Sequence, residues 1–457
     1  MKSIVIRYLS CLCVTLVMTQ TVNAANLSDV YELAVNNDPQ LAAAKASYMA
    51  SRESVPQARS GLLPNISVSG TTTNTSRTTP TILETGLSST VTNDFNDHSW
   101  QAQLRQPIFR LDTWFQFLQS KNVEAKAMAD FAAEQQELIF RVTDSYMTIL
   151  ESNDRLDAAN AERGAVKRQL EQVQQRFDVG LVAITDVLES TAAFDSSTVS
   201  VIEAEGAQVI SFETLLRLTG QSFDNIDALD EGFPVEYPEP NDEEAWVQRA
   251  LVGNYSLLAA QESVNSAQRN LYAAKSRHLP TLDATISYAE SVSGGASFLG
   301  SEIEQKSAQL LLTVPVYSGG ATHSAAKQAG YQLEQAQRTF DLTQRTTVEN
   351  TRNLYSAINT DVARVNARQR GIDSSQSAFE ATQTGYEVGT RNIVDVLLAQ
   401  QRLYAAQFQY ASARYQYVRD TLRLKQSVGS LSPDDIYGIN NFISSGKTVG
   451  RITPTTR

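Results

Sequence analysis

Two hydrophobic periods alternate along this chain. Short segments carry apolar residues at every second position, and long segments carry them at every seventh. The period of two runs through Ile66/Val68, Trp100/Ala102/Leu104, Leu282/Ala284/Ile286/Tyr288 and Ala308/Leu310/Leu312/Val314/Val316. Polar residues mostly fill the gaps. The pattern predicts four strands with one apolar face each: Leu63–Thr73, Ser99–Phe109, Leu279–Glu290 and Lys306–Tyr317. The stretches between paired strands, 74–98 and 291–305, are rich in Thr, Ser, Gly and Asn and predict solvent-facing loops. Strands of about 10 residues suit a bilayer crossing. A soluble, half-buried sheet gives the same alternation.

The period of seven runs through Val142, Ile149, Leu156, Leu170 and Phe177, with Arg163 the one polar interruption. Its counterpart is Ile358, Val365, Ile372, Phe379 and Tyr386. Returning segments carry Val187, Phe194, Val201 and Leu215, and Val396, Leu403, Tyr410, Tyr417 and Leu424. Such spacing means coiled-coil-like packing. No proline occurs from Ile108 to Phe233 or from Val316 to Ser432, so nothing breaks these helices. A helix from about 112 to 178 is roughly 100 Å long at 1.5 Å per residue. No single globular core needs that length; it implies a rod or a tube wall.

Both periods occur twice because the chain is a duplication. Ala34, Leu41, Ser60 and Leu63-Pro64 match Ala250, Leu257, Ser276 and Leu279-Pro280 at an offset of 216. Pro107 and Phe109 match Pro315 and Tyr317 at 208, and Tyr146 and Ile149 match Tyr355 and Ile358 at 209. Each unit opens on an amphipathic helix, roughly 27–60 and 242–277, before its strands and long helical hairpin. The expected division is a leader over 1–24, a first repeat over 25–218, a connector over 219–245, a second repeat over 246–429, and a terminal element with a solvated tail over 430–457. The connector holds Pro234, Pro238, Pro240 and nine acids without a Lys or Arg.

The sharpest repeat is at the hairpin tips. Phe177-Asp178-Val179-Gly180-Leu181-Val182-Ala183-Ile184-Thr185-Asp186-Val187-Leu188 aligns without a gap on Tyr386-Glu387-Val388-Gly389-Thr390-Arg391-Asn392-Ile393-Val394-Asp395-Val396-Leu397, with 6 of 12 positions identical. In each, a long helix ends at Val-Gly, a few residues turn, and an acid opens the next helix. Asp186 with Glu189 reads as a capping box, and Asn392 caps similarly with Asp395 in the first turn. These tips read as the working end of the molecule.

Charge and chemistry narrow the class. The formal net charge of -12 excludes a nucleic-acid partner, which needs basic patches. Lys2 and Arg7, the apolar Tyr8–Met18 and the small-residue site Val22-Asn23-Ala24 read as a secretory signal. Cys11 and Cys13 lie inside it, so processing removes both thiols. After it comes no run of eighteen apolar residues, so a membrane protein of this kind is a barrel. Four strands cannot close one, and an open edge in lipid costs several kcal/mol per unsatisfied group. Chains must therefore associate, and the strands alone do not choose three over two. His98, His278 and His323 share no metal-ligand spacing, and Asp94, Asp97 and His98 read first as a solvated loop. No phosphate-binding fingerprint occurs, so no enzyme and no cofactor is expected.

The sequence resembles the TolC family of outer-membrane exit ducts. The resemblance rests on Arg176 to Val187, on Gly385 to Arg391 with Ile393 to Leu397, on Leu279-Pro280-Thr281-Leu282-Asp283, and on Pro315-Val316-Tyr317-Ser318-Gly319-Gly320. It implies an α+β membrane protein whose homotrimer forms a twelve-stranded β-barrel continuous with a periplasmic α-helical barrel. It implies a collar drawn from 219–245 and 430–442, and a tip that is closed at rest. Thr185 and Asp186 on one hairpin, and Tyr386 and Arg391 on the other, are similar to the family's tip latch. Asp395 resembles its constriction acid; Leu398 stands where the family often has a second acid, which implies one carboxylate ring beside an apolar layer. Val179-Gly180-Leu181 and Val388-Gly389-Thr390 resemble its contact with a periplasmic adaptor protein. The implied partners are outer-membrane lipid, that adaptor and an inner-membrane transporter of RND, ABC or MFS type. Read without the resemblance, Asp186 is a helix cap and Tyr386 the end of a heptad stripe. The competing function is a coiled-coil scaffold or adhesin, which leaves the strands unexplained.

Overall fold

The computed structural model describes residues 24–82, 86, 88–294 and 301–452; the expected leader, apart from Ala24, lies outside them. The first unit holds α1 (Leu27–Asn37), α2 (Pro39–Arg52), α3 (Ser54–Ser60), β1 (Asn65–Ile82), β2 (Ser88–Phe109), α4 (Leu111–Asp178) and α5 (Ile184–Thr219). After β3 (Asn225–Leu229), the second holds α6 (Glu243–Gly253), α7 (Tyr255–Ser276), β4 (Thr281–Ser293), β5 (Ser301–Thr313), α8 (Ala321–Glu387) and α9 (Ile393–Ser427). The chain ends with α10 (Pro433–Asn440) and β6 (Ile443–Gly450).

The opening helix of each unit is broken rather than continuous. Asp38 accepts hydrogen bonds from the amides of Gln40 and Leu41, and Pro39 starts α2. Asn254, the matching residue at offset 216, accepts from Leu257 N at 2.9 Å and starts α7. The breaks turn the short helices α1 and α6 toward the centre, where Leu27, Val30, Ala34, Trp246 and Ala250 are buried.

The strands form one antiparallel sheet in the order β1-β2-β4-β5. Its register sorts the side chains sharply. One face carries the row Ile66–Leu104–Ile286–Ala308 and then Val68–Ala102–Tyr288–Lys306. The other carries Ser67–Gln103–Ser287–Ser307. Ile66, Val68 and Leu310 are 71%, 72% and 72% exposed on the apolar face. A soluble sheet buries such a face; here the core lies elsewhere, so lipid must cover it. Trp100 and Tyr288 sit together at one margin with ring centroids 5.0 Å apart, and the Trp100 indole donates to Glu290, as an interfacial aromatic girdle does. At the opposite margin the buried Asp283 carboxylate accepts from Arg110 Nε and Nη2 at 2.9 and 2.7 Å and from Arg105 at 3.0 Å. That bridge ties β4 to the point where β2 becomes α4. Among the described residues no helix is long and apolar enough to cross a membrane.

β1 and β2 run well into 74–98, where loops were expected, and β4 and β5 reach into 291–305, of which 295–300 lie outside the described residues. Threonine suits extended backbone, and strands wet on both sides need no apolar alternation, so the period of two misses them. β5 also stops at Thr313 rather than Tyr317, because Pro315 and the left-handed Gly319 and Gly320 turn the chain into α8.

α4 has 68 residues and α8 has 67, about 100 Å each at 1.5 Å per residue. Toward the sheet α4 packs against α2, α3 and α7, and α8 packs against α7. Away from it α4 packs against α5 and α9, and α8 against α9. The main core lies midway, where Tyr146, Ile149, Leu215, Ile226, Ile358, Leu422 and Ile436 are shut from solvent. There the expected solvated tail is instead a strand: β6 pairs with β3, and Arg451 ion-pairs with Glu213. The alternation Val449/Ile443 is too sparse to announce it; its partner strand supplies the order. Arg419 joins α9 to α4 through Asp144 at 2.8 Å and Glu151 at 2.9 Å, and Tyr415 donates to Asp154 at 2.7 Å.

Asp361 of α8 and Asp420 of α9 meet across the second hairpin. Asp361 is 1% exposed; Arg364 reaches Oδ1 at 2.9 Å, while Oδ2 has no donor unless a carboxyl is protonated. Burial, then the Asp420 contact, pushes Asp361 up to about 7. Asp361 therefore keeps its proton up to about neutral pH and can donate it to Asp420. Because the folded value is raised, its stabilising contribution is full below the ordinary value of 3.8 and lost as pH climbs through about 7. Asp361→Asn is expected to raise Tm at pH 8 by roughly a few degrees and to leave it nearly unchanged at pH 4. Equal shifts at both pH values in a thermal melt contradict the retained proton.

Candidate functional site at the hairpin tips

Both hairpins turn by the same device. Gly180 has φ 77° and Gly389 φ 80°, the left-handed conformation that an L side chain resists. Leu181 N donates to Arg176 O at 2.8 Å, and Thr390 N to Gly385 O at 2.8 Å, closing the helix ends in the same way at offset 209. A Cβ on Gly180 or Gly389 meets nothing within 4 Å, so space around both turns is open. Gly385 is different: a Cβ there comes within 2.8 Å of Arg391 Cγ, so the Arg391 side chain lies across it.

The two return helices start differently. Asn392 caps α9, accepting from Asp395 N at 2.8 Å. The expected capping box at Asp186 is absent: α5 starts at Ile184 behind Ala183, which has no side-chain cap, and Asp186 stands inside the first turn. The alignment explains this, since Asp186 matches Asp395 and Ala183 matches Asn392. Only the second copy kept a capping side chain. Asp186 remains near the positive end of α5, with Thr185 Oγ1 3.5 Å away.

Val173, Val187, Ile393 and Val396 form a small buried core between the hairpins, flanked by Phe177, Phe379 and Tyr386. The Arg176 guanidinium lies 5.0 Å over the Tyr386 ring, and the Tyr386 hydroxyl is shut from solvent without a hydrogen-bond partner among the described residues. Leaving such a group unpaired costs about 1–3 kcal/mol. Arg391 faces Asp395 at 3.9 Å, the guanidinium largely exposed and the carboxylate partly so, an interaction worth under about 1 kcal/mol. Within one chain, and among the described residues, neither Thr185 nor Asp186 bonds to Tyr386 or Arg391.

Matched positions are unequally buried. Ile393 is 1% exposed but its counterpart Ile184 is 50% exposed, and Leu188 is open where Leu397 packs against the small core. Val179, Leu181 and Val388 are exposed at the very tip, and Leu398 is half-open one turn beyond Asp395. This asymmetry, rather than any single residue, is what the sequence did not show. Comparing burial at matched positions of a duplication is what reveals it.

The profile of the outer membrane efflux protein family matches residues 30–221 and 246–430. The chain is 35% identical to outer membrane protein TolC of Vibrio cholerae over 434 residues, covering 94% of this chain and 96% of that protein. It is 29% identical to the alkaline protease secretion protein AprF of Pseudomonas aeruginosa, over 95% of this chain and 91% of that one. Two solved structures share its fold: CusC, with TM-score 0.76 at 14% identity over 89% of this chain and 92% of that one, and the CmeC outer membrane channel of Campylobacter jejuni, with TM-score 0.74 at 17% identity over 92% and 90%. The duplicated unit, the open sheet with one lipid-facing side, the paired long helices and these matches agree: the chain belongs to the outer membrane efflux protein family.

Proposed function

We propose that three copies of this chain close a twelve-stranded barrel in the outer membrane and continue it as a helical barrel into the periplasm, forming a passive exit duct for efflux and secretion. One observation carries the reading. The four-stranded sheet has an exposed apolar face and two unpaired edges, β1 and β5. In hydrocarbon those edges are tolerable only if β1 of one copy pairs with β5 of the next. The tip supports the same assembly: Ile184 and Leu188 of the first hairpin are the open counterparts of residues packed in the second, and a neighbouring copy would cover them.

In this assembly the tips are the periplasmic gate. Thr185 and Asp186 latch onto Tyr386 and Arg391, giving Arg391 a second carboxylate and, once the buried Tyr386 side chain turns outward, giving its unpaired hydroxyl an acceptor. Each contact at a wet tip is worth about 0.5–1.5 kcal/mol, weak enough to yield to a partner. That partner is a periplasmic adaptor seated on Val179-Gly180-Leu181 and Val388-Gly389-Thr390, where three apolar side chains are exposed and the glycines leave room. An inner-membrane transporter supplies the energy; the duct performs no chemistry of its own.

Asp395 lines the narrowest point as one ring of carboxylates, with Leu398 as an apolar layer beside it. In planar bilayers the wild-type protein is expected to conduct weakly, and Tyr386→Phe with Arg391→Ser to conduct severalfold more. Insertion with unchanged conductance removes the latch, and a folded protein that never inserts favours the scaffold reading. A second comparison isolates the constriction: multivalent cations added on the tip side are expected to block Leu398→Asp at lower concentration than wild type, and identical block shows that Leu398 has no part in selectivity.

A further inference from the structure

The sheet is one β-hairpin used twice, and its two hairpins share a register. Moving β1 by 216 residues and β2 by 208, the offsets of Leu63-Pro64 and of Pro107, carries Asn65–Arg105 and Ile66–Leu104 onto Thr281–Thr313 and Leu282–Leu312. Those are the pairs that β4 and β5 make. The two offsets therefore transfer strand pairing without a slip.

Between the hairpins the chain has one seam, β2 on β4. It sets Leu104 opposite Ile286, Arg105 opposite Thr285 and Phe109 opposite Leu282. β2 and β4 each have two neighbours, whereas β1 and β5 each have one. The stretch that matches 107–109 is 315–317. Among the described residues it pairs with no strand, and Val316 and Tyr317 are 92% and 88% exposed.

Resting on the trimeric reading above, we infer that β5 of one copy pairs antiparallel with β1 of the next in the register of the β2–β4 seam. The same two offsets, applied to β2 and β4, set Leu312 opposite Gly70 of the next copy, Thr313 opposite Ser69 and Tyr317 opposite Ile66. Odd positions meet odd and even meet even, so Leu310 and Leu312 stay on the apolar side with Ile66 and Val68. A slip of one residue would turn one copy's apolar side away from lipid and is excluded. Slips of two keep the sides matched and are the competing registers. The inferred pairing gives the exposed Tyr317 the neighbour Ile66, as Phe109 has Leu282.

The two seams differ in one respect. Asp283, opposite Pro107, is held by Arg105 and Arg110. The matching positions at the seam between copies are Ser67, Thr313 and Ser318. The charge lock of the seam within the chain is thus replaced by hydroxyls, and backbone pairing with apolar contact holds the copies together.

The test uses full-length protein in outer membranes. Cys11 and Cys13 lie in the leader, so introduced thiols are the only ones in the mature chain. Directly opposed Cβ atoms lie about 4.5–5.5 Å apart and diagonal ones about 7–8 Å, while a disulfide needs about 3.5–4.5 Å. Thr313→Cys is combined in turn with Ser69→Cys, Ser67→Cys and Thr71→Cys, oxidised, and separated under denaturing, non-reducing conditions. The combination with Ser69→Cys is expected to give covalent dimers and trimers at severalfold the yield of the other two. Reductant should remove them, and each single variant should lack them. Equal or greater yield with Ser67→Cys or Thr71→Cys, or no cross-link from any pair, in a protein that runs as a trimer on native gels overturns the register alone. Absence of the trimer itself overturns the assembly beneath it.

Discussion

The amide and carbonyl groups along the free edges of β1 and β5 govern this molecule. In water an unpaired strand edge is tolerable; in hydrocarbon each unsatisfied group costs several kcal/mol. The apolar face set by Ile66, Leu104 and Ile286 sends the sheet into lipid, and the edges then forbid it to remain alone. Association is therefore a condition of the sheet's existence, and the helices below inherit its symmetry.

The helices accept that symmetry because the chain is two copies of one unit. The Arg110–Asp283 bridge joins the copies at the base of the sheet, and the core around Tyr146 and Ile358 joins them midway. Arg419, held between Asp144 and Glu151, fixes α9 to α4 there. Beyond this point come two small cores, Leu156/Ala159/Val201/Ala204 and then Val173/Val187/Ile393/Val396, and at the tip partly exposed pairs such as Arg391–Asp395. The structure is firm at the membrane and the middle and weak at the tip. The gate proposed for the tip fits this weak end, where few contacts would have to break.

Much of this was legible in the residues. The period of seven and the absence of proline gave α4 nearly to the residue, and announced α5, α8 and α9 without their ends; the Val-Gly repeat located both turns. The lower halves of the strands followed from alternation. What escaped the pattern did so for physical reasons. The Thr-rich extension of β1 and β2 is wet on both faces, so it carries no hydrophobic period. β6 is ordered by β3, more than 200 residues away in sequence, which no local signal encodes. The breaks at Asp38 and Asn254 were written in their capping side chains, but the helical period runs through them and masked them. At the tip the latch proposed for Thr185, Asp186, Tyr386 and Arg391 needs neighbouring copies, and within one chain these side chains are placed without pairing across the hairpins.

Assembly is the claim on which the duct and the latch both rest. The most direct measurement is the mass of the detergent-solubilised protein by native mass spectrometry. Three chains per particle is the predicted result. A stable single chain or pair, with its strand content intact by circular dichroism, would contradict the account.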